Sequence, residues 1–188
     1  MLIEQSGKMA PRWRPLIIVA IMTGLRASEL RALTWSAIDL DSRVLEVRQR
    51  MNAYQQLGAP KSKAGRRKIP LSPMCVNVLR EWKLLCPRGE MNLVFPTTAG
   101  KPMFVTDISR PCWSPLTRAC GLEDRYDFHH MRHACASILI EKGATAKRVQ
   151  EVMGHSSVRM TFDVYGHLFE DAEADQALFA KAEKGLFG

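Results

Sequence analysis

At 188 residues, 46% hydrophobic and 24% charged, the chain has the length and composition of one globular domain able to bury a sizeable core. Its most apolar run, residues 16–22, falls well short of the roughly 20 residues that span a bilayer, and the first residues lack the apolar core and cleavage site of a secretory signal, so a cytoplasmic location is expected. Five scattered cysteines never form a CxxC pair and indicate neither a disulfide framework nor a zinc site, while 27 basic against 19 acidic side chains, a net charge of +8, favour a polyanionic partner.

Residues 13–22 predict a buried helix, because apolar side chains cover nearly every side before Gly24 interrupts it. A second helix is expected over 28–35, then a turn at Asp39-Leu40-Asp41-Ser42. There the period changes to two: residues 44–48 and 68–71 read as antiparallel strands joined by an exposed basic connection with Gly58, Pro60 and Gly65. Residues 43–70 hold eight Lys/Arg against the single Glu46, whereas 170–188 hold five acids against Lys181 and Lys184, so the basic charge is concentrated.

Ser72-Pro73 supplies an N-cap and a proline at the first helical position for a helix that Pro87 ends. Leu93-Val94-Phe95 reads as one more short strand, and 106–120 as helical despite Pro111 and Pro115. Helices are expected over 129–142, ended by Gly143, over 145–153, ended by Gly154, and over 157–164, with an amphipathic stretch over 171–186. The fold class is mainly α with one small antiparallel β-sheet.

Phosphoryl transfer asks a protein mostly for positioning and positive charge around phosphate oxygens, plus a nucleophile and a proton for the leaving group. Arg26 after the Gly24-Leu25 turn, Lys63 in the basic loop, His129 and Arg132 three apart on one helix, His155 beside Gly154, and Tyr165 after the last short helix form a matching set. Singly, each has an ordinary structural explanation.

In order, TGLRASEL (23–30), KSKAGRRKIPL (61–71), HHMRHACAS (129–137), VMGHSS (152–157) and TFDVYGH (161–167) resemble the motif series of the tyrosine recombinases, the phage integrase family, over residues 13–168. The resemblance implies a largely helical catalytic domain with a three-stranded sheet. It implies catalytic roles for Arg26, Lys63, His129, Arg132, His155 and Tyr165, with Tyr165 as nucleophile in metal-independent cutting and rejoining of DNA through a 3′-phosphotyrosine. The chemistry of each residue type fits. Guanidinium forks suit the non-bridging phosphate oxygens, His155 adds a hydrogen bond, His129 exchanges the tyrosine proton, and Lys63 protonates the departing 5′ oxygen. Met131 and Ala134-Cys135 depart from the usual third motif at packing positions.

Lys61 and Lys63 both suit the loop lysine, and Lys63, just before Ala64-Gly65, is preferred. Lys61, Arg66 and Arg67 are expected to bind DNA phosphates. His133 is expected to be a structural hydrogen bonder; Glu29 either orients Arg26 or is a solvated acid. His129 and His133 have the i, i+4 spacing of helical zinc ligands, but Arg132 between them is electrostatically wrong for a cation, so neither metal nor cofactor is expected. Two rival functions share some of these features. A non-catalytic DNA-binding module would explain the positive charge but not the catalytic residue types, and a type IB topoisomerase uses a similar phosphotyrosine to relax DNA. The chain is expected to be a single catalytic domain, 1–188, without an N-terminal core-binding domain. The resemblance implies double-stranded DNA as its partner, and its 169–188 tail is expected to be either self-packed or exchanged between protomers of a tetramer.

Overall fold

A computed structural model describes residues 1–122, 125–169, 180, 183 and 184; the expected tail helix over 171–186 lies, but for those last three positions, outside the described residues. After a short helix α1 (Leu2–Ser6), helix α2 (Trp13–Thr23) carries Leu16, Ile17, Ile18, Val19 and Ala20, each at most 1% exposed. Consecutive apolar residues at 100° per residue leave a helix no face for water, so α2 has to be central. It packs against α1, α4 (Pro73–Leu85) and α7 (His130–Glu141). Its end is set by Gly24 at φ +61°, a left-handed C-cap that glycine takes without steric cost. A Cβ there would also lie 2.4 Å from Met153 Cε.

The period-two segment forms an antiparallel sheet in the order β1 (Ile38–Asp39), β2 (Val44–Val47), β5 (Arg67–Pro70), so the expected small sheet is present with three strands. Leu45 pairs with Ile69 and Val47 with Arg67; these four turn inward, while Glu46 and Lys68 pair on the other face. Asp39 Oδ1 accepts from the amides of Asp41 and Ser42 and closes the β1–β2 turn, as the Asp-Leu-Asp-Ser signal implied. The connection from β2 to β5 is more ordered than expected, because β3 (Arg50–Met51) and β4 (Leu57–Gly58) pair as a hairpin before the exposed loop begins.

Three expectations are revised. The helix after Arg26, α3, spans only Ala27–Arg31, and a 3₁₀ turn at Trp35–Ala37 follows an extended, β-branched Thr34. Residues 93–95 form no strand: a single bridge joins Leu93 to Thr34, and Val94 instead donates to Leu33 O and accepts from Trp82 Nε1 while its side chain fills the core. Residues 106–119 are helical as α5 (Thr106–Ile108) and α6 (Ser114–Ala119), joined by a π-helical stretch, Ser109–Trp113, that accommodates Pro111.

The remaining helices match their caps. Ser72 Oγ accepts from Cys75 N at the start of α4; Thr145 caps α8 (Ala146–Met153) and Ser157 caps α9 (Val158–Tyr165). Tyr165 is the last residue of α9, not the first beyond it. Helix α8 packs on β5, α7 and α9, so the end of α2, the start of α7, the inner face of β5 and the end of α8 meet in one place.

Candidate active site

The last carbonyls of a helix have no partner within it and carry the negative end of its dipole. At the end of α8 the carbonyls of Val152, Met153 and Gly154 each accept from a different guanidinium. Arg67 Nε lies 2.6 Å from Val152 O, Arg132 Nη2 2.5 Å from Met153 O, and Arg26 Nη2 3.4 Å from Gly154 O. Arg132 also donates from Nη1 to Gly24 O at 2.6 Å, tying the end of α2 to the end of α8. Gly154, at φ +63°, makes this turn possible: a Cβ would lie 2.9 Å from both Ala64 O and Arg67 Nη1. Arg132 is almost fully buried, and that burial, with the positive Arg26 nearby, lowers its pKa to about 10, which still leaves it charged at neutral pH.

Three cationic side chains so close together need a counter-charge, and Glu29, 4% exposed, supplies it. Its Oε1 accepts from Arg26 Nη1 at 2.9 Å and Arg67 Nη1 at 3.2 Å, and its Oε2 from Arg67 Nη2 and the Arg26 amide, both at 2.9 Å. Burial alone would raise its pKa, but the two arginines outweigh it and hold the carboxyl below its ordinary value. Glu29 therefore orients Arg26 and is no solvated acid. Arg67, expected to contact DNA, sits on the inner face of β5, 9% exposed, with its guanidinium donating to Glu29, Val152 O and Gly65 O.

His155 follows Gly154 directly, buried, with Nδ1 2.9 Å from Thr161 Oγ1. Burial first, then the charges of Arg132, Arg26 and Arg67, push its pKa down to about 4, so the ring is neutral at physiological pH. The ring of Tyr165 lies nearly parallel to it, 6.3 Å away and tilted by 13°. Burial raises the pKa of this phenol, with the Arg132 charge pulling the other way. Its hydroxyl is 2.9 Å from His133 Nδ1. The pKa of His133 is itself lowered, by burial first and then by His130 and Arg132, so this imidazole rests neutral.

His129, exposed at the start of α7, meets His133 edge-on with ring centroids 5.2 Å apart, and its pKa is lowered by burial, His133 and Arg132. His130 turns away to Asp127, Nδ1 to Oδ1 2.8 Å. Lys61, Lys63 and Arg66 are exposed on the loop before β5, Lys63 opening a 3₁₀ turn, Lys63–Gly65, whose Ala64 carbonyl abuts Gly154. Arg26, Arg132, His155 and Tyr165 are thus gathered around one turn, with Lys63 on the loop that flanks it. Two residues named in the sequence for other reasons act as partners here: His133, expected as a structural hydrogen bonder, meets the Tyr165 hydroxyl, and Arg67, in phase with buried Ile69, holds Glu29. The cluster can bind a phosphate group by two forked donors and a neutral histidine, and it holds a phenol beside it.

The profile of the phage integrase family matches residues 2–171 of the chain. An integrase of Streptomyces ambofaciens is 32% identical over 165 residues, covering 79% of this chain and 42% of its own. A XerC-like tyrosine recombinase of Caldanaerobacter subterraneus subsp. tengcongensis is 31% identical over 182 residues, covering 84% and 46%. The chain therefore spans less than half the length of these curated relatives. Among solved structures, the Tn1549 transposon integrase in complex with circular intermediate DNA superposes with a TM-score of 0.76 at 25% identity, over 97% of this chain and 63% of that one. XerA recombinase gives 0.74 at 22% identity, over 96% and 61%, a likeness of fold.

Proposed function

The chain belongs to the phage integrase family, and from that premise we propose that it is the catalytic domain of a site-specific recombinase that cuts and rejoins double-stranded DNA through a 3′-phosphotyrosine on Tyr165. The observation that carries this reading is the placement of the Tyr165 hydroxyl at the turn that also gathers Arg26, Arg132 and His155. In the proposed reaction Arg26 and Arg132 bind the non-bridging oxygens of the scissile phosphate and stabilise the charge that builds there, a task suited to fixed guanidinium forks. His155, neutral, adds a hydrogen bond. Tyr165 Oη attacks phosphorus as a histidine of the α7 cluster takes its proton, the bond to the 5′ oxygen breaks, and Lys63 gives that oxygen its proton. The energy of the phosphodiester is kept in the tyrosyl ester, so a 5′ hydroxyl of a new partner strand can reverse the step.

No step in this reading needs a metal, because the guanidiniums supply the positive charge. Lys61 and Arg66, exposed beside Lys63, contact the DNA backbone on either side of the cut. Self-association on DNA as a tetramer and action within the cytoplasm belong to the same reading, as do integration and excision as the outcome of the strand exchange.

A pool of nicked duplexes with randomised flanks, whose short 5′ fragment diffuses away after cleavage, tests it. The chain should capture members of the pool as protein–DNA adducts that survive SDS and form equally in chelator, and Tyr165→Phe should capture none. Adducts that need a divalent ion, or that persist in Tyr165→Phe, would overturn the reading.

A further inference from the structure

We infer that Thr161 is a positioning residue for strand cleavage: its hydroxyl donates to Nδ1 of His155 and so holds that ring with its proton on Nε2, the nitrogen that meets the scissile phosphate. The inference rests on the proposed reading, in which His155 hydrogen-bonds the phosphate. Thr161 is 0% exposed on α9, and its Oγ1 lies 2.9 Å from His155 Nδ1. Serine and threonine hydroxyls inside a helix often donate to the carbonyl one turn back. Thr23 does so to Val19 O, Ser109 to Val105 O and Thr117 to Trp113 O. Thr161 does not follow them. Among the described residues its hydroxyl has one partner, and that partner is His155 Nδ1.

The sense of this bond follows from which groups it satisfies. With Oγ1–H donating, the threonine proton and the Nδ1 lone pair are both paired. With Nδ1–H donating instead, the threonine proton would lie buried without an acceptor, at the full desolvation cost of that donor. A neutral imidazole carries a single N–H, so an acceptor at Nδ1 fixes a donor at Nε2. Among the described residues Nε2 makes no hydrogen bond to the protein, and it is left to donate to a phosphate oxygen. The opposite tautomer would turn a lone pair toward that oxygen and repel it. The backbone of His155 is pinned as well: its amide donates to Gln150 O at 3.1 Å, and its carbonyl accepts from Gln150 Nε2 at 3.3 Å. The ring is thus held at one edge by Thr161 and along one face by Tyr165, which stands one turn beyond Thr161 on the same side of α9. A single helical face therefore aims the phosphate donor and carries the nucleophile.

Nitrogen NMR of the DNA-free chain with isotope-labelled histidine reads the ring directly at neutral pH, with His155→Asn identifying its resonances. The proton should sit on Nε2, and Nδ1 should resonate as a lone pair that accepts a hydrogen bond. Thr161→Val, nearly isosteric, should move Nδ1 to the position of an unpaired lone pair, and Thr161→Ser should not. A proton on Nδ1 in the unaltered chain, or an Nδ1 resonance that Thr161→Val leaves in place, would overturn the inference. Single-turnover adduct formation on a duplex captured as above reads the consequence. Losing a transition-state donor costs about a hundredfold to a thousandfold and disturbing its support about tenfold to a hundredfold, so Thr161→Val should slow cleavage by the smaller factor. Duplex binding measured by mobility shift should not change. Thr161→Ser should keep the unaltered rate, and a loss equal to that of Thr161→Val would also overturn the inference. In a His155→Ala background Thr161→Val should cost nothing further, because Thr161 acts through His155. A full second loss there, or an unaltered rate in Thr161→Val alone, would contradict it. Absence of any Tyr165 adduct in the unaltered chain would overturn the reading beneath and this inference with it, and the NMR signature tells that failure from a failure of Thr161 alone.

Discussion

Arg66 and Arg67 are neighbours in the chain and opposites in the molecule. Arg66 stands exposed on the loop with Lys61 and Lys63, while Arg67 opens β5 on its inner face and spends its guanidinium on Glu29 and the end of α8. The loop offers exposed charge to a partner; the knot of Arg26, Arg67, Arg132 and Glu29 fixes charge in place before any partner arrives. Basic composition thus locates a polyanion surface only coarsely, and strand phase decides which arginine faces outward.

The contrast can be broken most forcefully at the buried end. Arg67→Ala removes two hydrogen bonds to Glu29 and uncovers Val152 O, and breaking a buried pair costs about 3–5 kcal/mol; chemical denaturation should show a loss of that size. Stability unchanged by Arg67→Ala would mean the knot is not structural. Next in size is Arg132→Lys, which keeps a charge but loses the fork that spans Gly24 O and Met153 O. Cleavage should fall by about a hundredfold to a thousandfold, with noncovalent DNA binding measured by mobility shift close to normal.

Acid should loosen the same region. His155 titrates near its ordinary value of 6.5 when unfolded but only at about 4 in the fold, so the unfolded chain binds the proton first. Stability is therefore fully present above pH 6.5 and declines as the pH falls towards about 4, and the depressed values of His129 and His133 act in the same direction. Glu29, whose folded pKa is depressed, adds a loss that begins below its ordinary 4.5. Thermal melts of His155→Asn across that window should show a shallower decline than the unaltered chain. The smallest effect on folding belongs to the loop: Arg66→Ala should change stability by no more than about 0.5 kcal/mol. It should weaken DNA binding uniformly across sequences and lower the slope of log affinity against log salt by about one.

Much of this was legible from the residues. The alternation of Val44, Leu45, Glu46 and Val47, the Ser72-Pro73 start and the glycine stops at 24 and 154 are local signals, and the structure follows them. Arg67 was legible too: it shares its phase with Ile69 and Leu71, and the count of basic residues concealed it. The contacts of His133 were not, because its meeting with Tyr165 depends on how α9 lies across α7, a packing angle that no spacing of residues records. Leu93-Val94-Phe95 misled for a related reason: a short apolar run reads alike as strand or as core filler, and pairing across the fold decides.

In the proposed reaction one phenol among three does the chemistry. Tyr54 sits 84% exposed between β3 and β4, and Tyr126 is 46% exposed beside His130, whereas Tyr165 is 4% exposed with its hydroxyl on His133 at the arginine turn. Peptide mapping of the SDS-stable adduct, after nuclease trimming to a single nucleotide, decides among them. The account predicts the nucleotide on Tyr165 through its 3′ phosphate, and a nucleotide on Tyr54, Tyr126 or any other side chain would contradict it.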